Sequence, residues 1–151
     1  MTREELIAFA KNVAPELQEG PSKQFPEVIV APEKIHELAV ALKESSETKM
    51  DYLFCETAAD RKDGLHMIYH ITSSEFQHSI LVKSVLTDKE NPAIDSVADI
   101  WKAAEFFERE IFDLFGIKFN NHPDLRRIFL EDDWVGYPLR KDYKDPFMID
   151  R

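Results

Sequence analysis

The densest chemistry in the sequence lies at Glu105, Glu108, Arg109, Glu110 and Asp113. On a helix, Glu105, Arg109 and Asp113 stand at i, i+4 and i+8 and line up as an acid–base–acid ladder, with Glu108 beside it and Glu110 turned away. Carboxylates next to an arginine are the parts an acid/base enzyme uses, one to give a proton and one to take it. The same spacing also makes an ordinary run of helix-surface ion pairs, worth about 0.3–0.5 kcal/mol each. No histidine or nucleophile stands among these residues, which favours the structural reading over a catalytic one. Phe106, Phe107, Phe112 and Phe115 are interleaved with the charges, so part of the ladder is expected to be covered.

Other candidates are weaker. Glu33/His36 and Glu75/His78 form two Glu-x-x-His pairs of the kind that di-iron carboxylate bundles use. The second pair leads into a strand-patterned run, where i and i+3 point to opposite faces and cannot chelate. His66 and His70 share one face of a strand but stand about 13 Å apart, and are expected to face solvent. Cys55, in an apolar strand, reads as a small core residue. Near the C-terminus, Asp124-Leu125-Arg126-Arg127 and Pro138-Leu139-Arg140-Lys141-Asp142 set basic residues between acids. Such runs suit fixed ion pairs with another surface, because a guanidinium grips a carboxylate through two bonds. On composition alone a solvated charge run is the simpler reading.

The elements that must position these residues follow from periodicity. Thr2 and Glu5 form a capping box for a helix over 2–17, with Leu6, Ala10, Val13 and Leu17 on one face. Gly20-Pro21-Ser22 ends it. Val28-Ile29-Val30 reads as a strand, and Pro32 opens a second helix with Ile35, Leu38, Ala39 and Leu42 at core spacing. Strands are expected over 50–58, 65–72 and 76–87, joined by turn-like connections into an antiparallel meander. Ser96 can cap a helix whose stripe is Val97, Ile100, Trp101, Ala104, Phe107, Ile111 and Leu114, straight or bent, with Gly116 at its end. This order predicts an α+β fold: a two-layer domain with helices packed on a small, largely antiparallel or mixed sheet. Residues 1–20 form its N-terminal helical segment, 22–119 its core and 120–151 an irregular, extended arm. The arm carries Phe129, Trp134, Tyr137, Tyr143 and Phe147, so it either wraps back over the domain or lies on a partner.

Composition narrows the function. The chain has 151 residues, enough to bury roughly 70 % of its unfolded surface as one domain. With 29 acidic against 19 basic residues and a net charge of −10, it is expected to bind no nucleic acid and no anionic membrane. Its 4 glycines spell neither GxGxxG nor a Walker A loop. Its 1 cysteine cannot ligate an iron–sulfur cluster or a structural zinc, nor close an intrachain disulfide. The start lacks an apolar signal core, and no stretch approaches the roughly 20 apolar residues of a membrane span. A cytosolic, soluble chain is expected, held at any membrane by something else.

Three separated blocks then carry a family resemblance. They are Glu108-Arg109-Glu110-Ile111-Phe112-Asp113-Leu114-Phe115-Gly116-Ile117, then Phe119 with His122-Pro123-Asp124-Leu125-Arg126-Arg127-Ile128, then Pro138-Leu139-Arg140-Lys141-Asp142-Tyr143. In that order they resemble the signature of the C-subunit family of respiratory complex I, the NADH:quinone oxidoreductase. The likeness is looser from Val28 to Ser96-Val97, and it does not place residues 1–24. Phe106 stands where the family often has tryptophan, Phe129 where a smaller aliphatic is usual, and Cys55 where aspartate is common.

The resemblance implies a non-catalytic structural subunit of the enzyme's peripheral arm, with no cofactor of its own. It implies partners in the quinone-site D subunit and the iron–sulfur B and I subunits. The expected place is the cytoplasmic face of a bacterial inner membrane, without direct insertion. An end soon after the last block fits the stand-alone subunit rather than a fusion. On this reading the 108–113 stretch positions the arm, the three blocks form the subunit interface, and Arg109, Arg126, Arg127 and Arg140 are its anchors. Related membrane-bound hydrogenases and ferredoxin- or quinone-linked complexes carry equivalent subunits. A small acid/base enzyme using Glu108 and Glu110 is the distant alternative.

Overall fold

The computed structural model describes residues 1–149, so the last two residues of the expected arm lie outside it. Among the described residues the chain forms helices α1 (Arg3–Val13), α2 (Ile35–Glu44) and α3 (Ala104–Phe115). The strands are β1 (Gln18–Glu19), β2 (Glu27–Ile29), β3 (Tyr52–Arg61), β4 (Gly64–Thr72), β5 (Ser79–Leu86), β6 (Ala93–Asp95) and β7 (Lys118–Asn120). It is the α+β architecture that the periodicity predicts.

The capping box of α1 is present: the Thr2 hydroxyl accepts from the Glu5 N–H at 3.2 Å, and the Glu5 carboxylate from the Thr2 N–H at 2.7 Å. The helix stops at Val13 rather than at residue 17. Pro15 is the reason, since proline pushes the residue before it out of the helical region, and Ala14 sits at φ −129, ψ 84. Leu17 is still buried, from a turn rather than a helix.

The main sheet runs β1-β2-β5-β4-β3. β3, β4 and β5 form the expected antiparallel meander, while β2 joins β5 in parallel, which makes the sheet mixed. On β4, Leu65, Met67, Tyr69 and Ile71 are buried and His66, Ile68, His70 and Thr72 are half-buried. The inner face meets Ile35, Leu38, Ala39 and Leu42 of α2 around Tyr69, Ile71 and Val82. A bulge between Leu53 and Cys55 resets the alternation of β3, so Glu56 and Ala58 take inward places. Cys55 is therefore half-buried and not the core residue expected.

The helix expected from Ser96 begins only at Ala104. Residues 97–103 are turns, with the N–H groups of Ile100 and Trp101 both bonded to Val97 O. Side chains from elsewhere serve the backbone groups of this turn. Glu108 takes the Val97 N–H, and Lys43 binds Ile100 O. The apolar stripe survives, with Val97, Ile100, Trp101, Ala104 and Ile111 all buried. Gly116 ends α3 in the left-handed region at φ 76. β6 and β7 then pair in parallel as a separate two-stranded sheet, each strand too short to show a period in sequence.

Candidate functional site

α3 carries different chemistry on its two sides. Towards the core, Glu108 is fully buried, with its carboxylate accepting from Ser96 Oγ at 2.5 and 3.2 Å and from the Val97 N–H at 3.2 and 3.3 Å. Burial pushes its carboxyl up to about 7 and Asp99 adds to the rise, while the bonds from Ser96 and Val97 oppose it.

Towards the C-terminal segment, α3 forms a clasp. Arg109 donates from Nε to Arg126 O at 3.2 Å and from Nη2 to Arg127 O at 3.0 Å. One oxygen of Asp113 accepts from the successive N–H groups of Ile128, Phe129 and Leu130 at 3.2, 2.8 and 3.0 Å. Its other oxygen takes Arg127 Nη1 at 2.9 Å. Arg127 also binds the carbonyls of Asp113 (2.9 Å), Trp134 (3.0 Å) and Gly136 (3.0 Å), and lies 5.0 Å from the Tyr137 ring centroid. Burial opposes ionisation of Asp113, but the Phe129, Leu130 and Ile128 amides and the Arg127 guanidinium together hold its carboxyl below the usual value.

Two further contacts fasten the segment at either end of the clasp. His122 Nε2 lies 2.9 Å from Glu105 O. The Tyr137 ring lies against Gly116, where a Cβ would come within 2.6 Å of it, so the glycine serves the helix end and the close approach together. Beyond it, the Leu139 N–H reaches Leu114 O at 3.0 Å, Arg140 reaches Lys89 O at 2.5 Å, and the Lys141 N–H reaches Asp60 at 2.8 Å. The segment thus runs back along α3 to the edge strand β3.

The expected Glu105–Arg109–Asp113 ladder does not form. Arg109 serves carbonyls and Asp113 serves Arg127, because the returning segment brings donors and acceptors closer in geometry than the helix's own turns do. Glu108 faces the core and Glu110, two residues on, is half-buried elsewhere, so the two do not converge on a common substrate. Of the other signature residues, Leu125 packs against the core, Pro138 is half-buried and Pro123 is exposed. Arg126 turns out to Asp124 at 2.9 Å, and only its carbonyl joins the clasp. Asp142 is exposed and pairs with Arg140 at 3.1 Å, and Tyr143 bonds Asp145 at 3.2 Å.

Among the described residues no group of three or more His, Cys, Asp or Glu could hold a metal. His36 binds Asp99 at 2.8 Å instead of closing on Glu33, and His78 binds Thr48 O at 2.7 Å. His66 and His70 are not the solvent-facing pair expected. His66 is mostly covered and bonds Asp63 at 2.6 Å, while His70 packs between Phe25 and Phe54, at 4.7 and 5.0 Å between ring centroids.

Three participants escaped the sequence reading: Ser96 as a partner of Glu108, Asp60 as the far anchor, and Glu56. Only Asp60 had a signal, an acid followed directly by the basic Arg61 and Lys62. The clasp spends its charged groups on the returning segment. It holds an arm that leaves large apolar side chains in the open among its charges, with Phe129 66 %, Val135 88 % and Phe147 92 % exposed.

The model of the family described as respiratory-chain NADH dehydrogenase, 30 kDa subunit, matches residues 28–146. The chain is 47 % identical over 114 residues to the C/D subunit of the NADH-quinone oxidoreductase of Phocaeicola vulgatus, covering 75 % of this chain and 22 % of that protein. It is 41 % identical over 122 residues to the C subunit of the Geobacter sulfurreducens enzyme, covering 77 % and 72 %. The chain thus spans less than a quarter of the C/D proteins that it matches. In structure it is similar to a chain of the membrane-bound sulfane sulfur reductase, an archaeal respiratory membrane complex. That match has a TM-score of 0.74 at 26 % identity and covers 98 % of this chain and 96 % of the other.

Proposed function

The chain belongs to the 30 kDa subunit family of the respiratory-chain NADH dehydrogenase, and from that premise we propose that it is a non-catalytic structural subunit in the peripheral arm of an NADH:quinone oxidoreductase. One observation carries the reading: the clasp spends two largely covered arginines and a buried aspartate on holding a segment that exposes its apolar side chains. A segment fastened on one side that exposes large apolar and aromatic side chains among charges on the other is suited to being covered by a partner. Its partners are other members of the complex, the quinone-site D subunit and the iron–sulfur B and I subunits. On this reading those partners hold it at the cytoplasmic face of the membrane; among the described residues no helix is long and apolar enough to cross one.

The likeness to a chain of the sulfane sulfur reductase favours a second reading, an equivalent subunit in a related membrane complex with a different electron input. One experiment addresses both. The tagged chain is purified from gently solubilised membranes of its own cells, and its companions are identified by mass spectrometry. Iron–sulfur and quinone-site subunits in fixed ratio, together with NADH-oxidising subunits, are the expected result. Hydrogenase or sulfur-reductase components in their place select the second reading. Elution of the chain alone from the soluble fraction overturns both.

A further inference from the structure

On the side away from the clasp, α3 packs on β3, and there the fold buries acids without a cation. Glu56 on β3 and Tyr69 on β4 are register partners and share the inner face of the sheet. Glu56 is 2 % exposed, and no protein group reaches either of its carboxyl oxygens or the Tyr69 hydroxyl as a hydrogen-bond partner. Glu108, the buried carboxylate that α3 brings to this side, is already occupied by Ser96 and Val97.

The titratable groups that act on this cluster are Cys55 on β3, Tyr69 on β4, Asp95 at the end of β6, Asp99 in the following turn, and Glu108 on α3. All of them are neutral or negative. The nearest cation along α3 is Arg109, which spends its guanidinium on the carbonyls of Arg126 and Arg127. An ionised carboxylate with no donor and no counter-charge is costly to bury, and it escapes that cost by taking a proton.

We propose that Glu56 is a buried proton-binding site, held as a carboxylic acid through neutral pH, so that Glu108, which Ser96 and Val97 serve, is the first of the two acids between α3 and β3 to ionise. The acid form carries one donor and one acceptor where the ionised form carries only acceptors. Loss of that proton puts two like charges between the sheet and the helix that bears the clasp. The seat of the clasp therefore loosens as pH rises. Burial, Glu108 and Cys55 all act in this direction, raising Glu56 well above the ordinary glutamate value of 4.5. The sign follows: a native chain that keeps a proton the unfolded chain has released is stabilised most below the unfolded value and loses that stability as pH rises through the folded one.

Infrared spectroscopy of the full chain above pH 7, where Glu108 has given up most of its proton, reads the Glu56 proton directly. A protonated carboxylic-acid carbonyl band is expected at a pH where ordinary glutamates have ionised, and Glu56→Gln removes it. Denaturant titrations from acidic to alkaline pH give the second readout. Each retained proton raises the unfolding constant about tenfold per pH unit, and Glu56→Gln flattens that dependence by one proton. Should Glu56→Gln not fold, Glu108→Gln is the second arm, and the band survives it. Absence of the band from the unmodified chain overturns the proposal without any variant. So does a band that Glu56→Gln leaves in place or that Glu108→Gln abolishes, since either moves the proton off Glu56.

Discussion

Glu108 and Asp113 stand five residues apart on α3, both shut off from solvent, and end in opposite electrostatic states. Burial pushes the first up to about 7 and fails to lift the second, which lies below its ordinary value. The difference is the supply of donors. Glu108 receives one hydroxyl and one amide in a core whose other titratable groups are acids and a tyrosine. Asp113 receives three amides and a guanidinium, and all four come from residues 127–130. The charge on Asp113 is thus a property of the folded segment, whereas the state of Glu108 belongs to the core. One helix joins a region that tolerates charge because it is fully bonded to a region that tolerates acids by keeping protons.

The strongest way to break that contrast is Asp113→Ala. It takes the counter-charge from Arg127, which keeps only its carbonyl partners, and leaves three amides without their acceptor; breaking a buried pair costs about 3–5 kcal/mol. Hydrogen exchange over 126–141 should rise towards that of a free segment while β3, β4 and β5 stay protected. If the segment keeps its protection in this variant, the clasp does not depend on Asp113. Gly116→Ala comes next. A left-handed alanine costs about 1–2 kcal/mol, and its Cβ drives into the Tyr137 ring. A lower denaturation midpoint with faster exchange from Tyr137 to Arg140 is expected. Loss of stability without that local exchange would place the cost in the helix end alone.

What was legible before the structure divides along the same line. The stripes of α2 and β4 and the capping box at Thr2 could be read from spacing, because each is a local consequence of period or of one turn. The clasp could not, although its residue types stood out. Spacing places Glu105, Arg109 and Asp113 on one face but says nothing of a segment that returns from residue 122 onward with better partners. Glu56 was hidden for a different reason. Strict alternation along β3 is broken by the bulge at Leu53 and Cys55, and a bulge leaves no composition signal at this place. Pro15 was visible, and its effect on Ala14 outweighs the apolar stripe that suggested a longer α1.

The pH dependence sharpens the contrast, since the two carboxylates pull stability in opposite directions. Asp113 has a folded-state value below the ordinary 3.8, so its contribution is complete above 3.8 and is lost as pH falls through the folded value. Glu108 rises from 4.5 to about 7, so its contribution is complete below 4.5 and is lost as pH rises through about 7. Between them the pair places maximum stability at mildly acidic pH. Denaturant titrations should show Asp113→Asn removing part of the acid limb and Glu108→Gln part of the alkaline one. A chain equally stable from mildly acidic pH to beyond 7 would contradict the raised value of Glu108.

The smallest expected effect is also the most selective. Ser96→Ala removes one hydrogen bond to Glu108, a loss of about 1 kcal/mol. That bond favours the ionised form, so without it Glu108 titrates at higher pH and the alkaline limb moves upward. The acid limb, set by residues 127–130 around Asp113, should not move. A Ser96→Ala chain whose acid limb shifted as far as its alkaline limb would show that the two sides of α3 are coupled, and that the core and the clasp titrate as one unit.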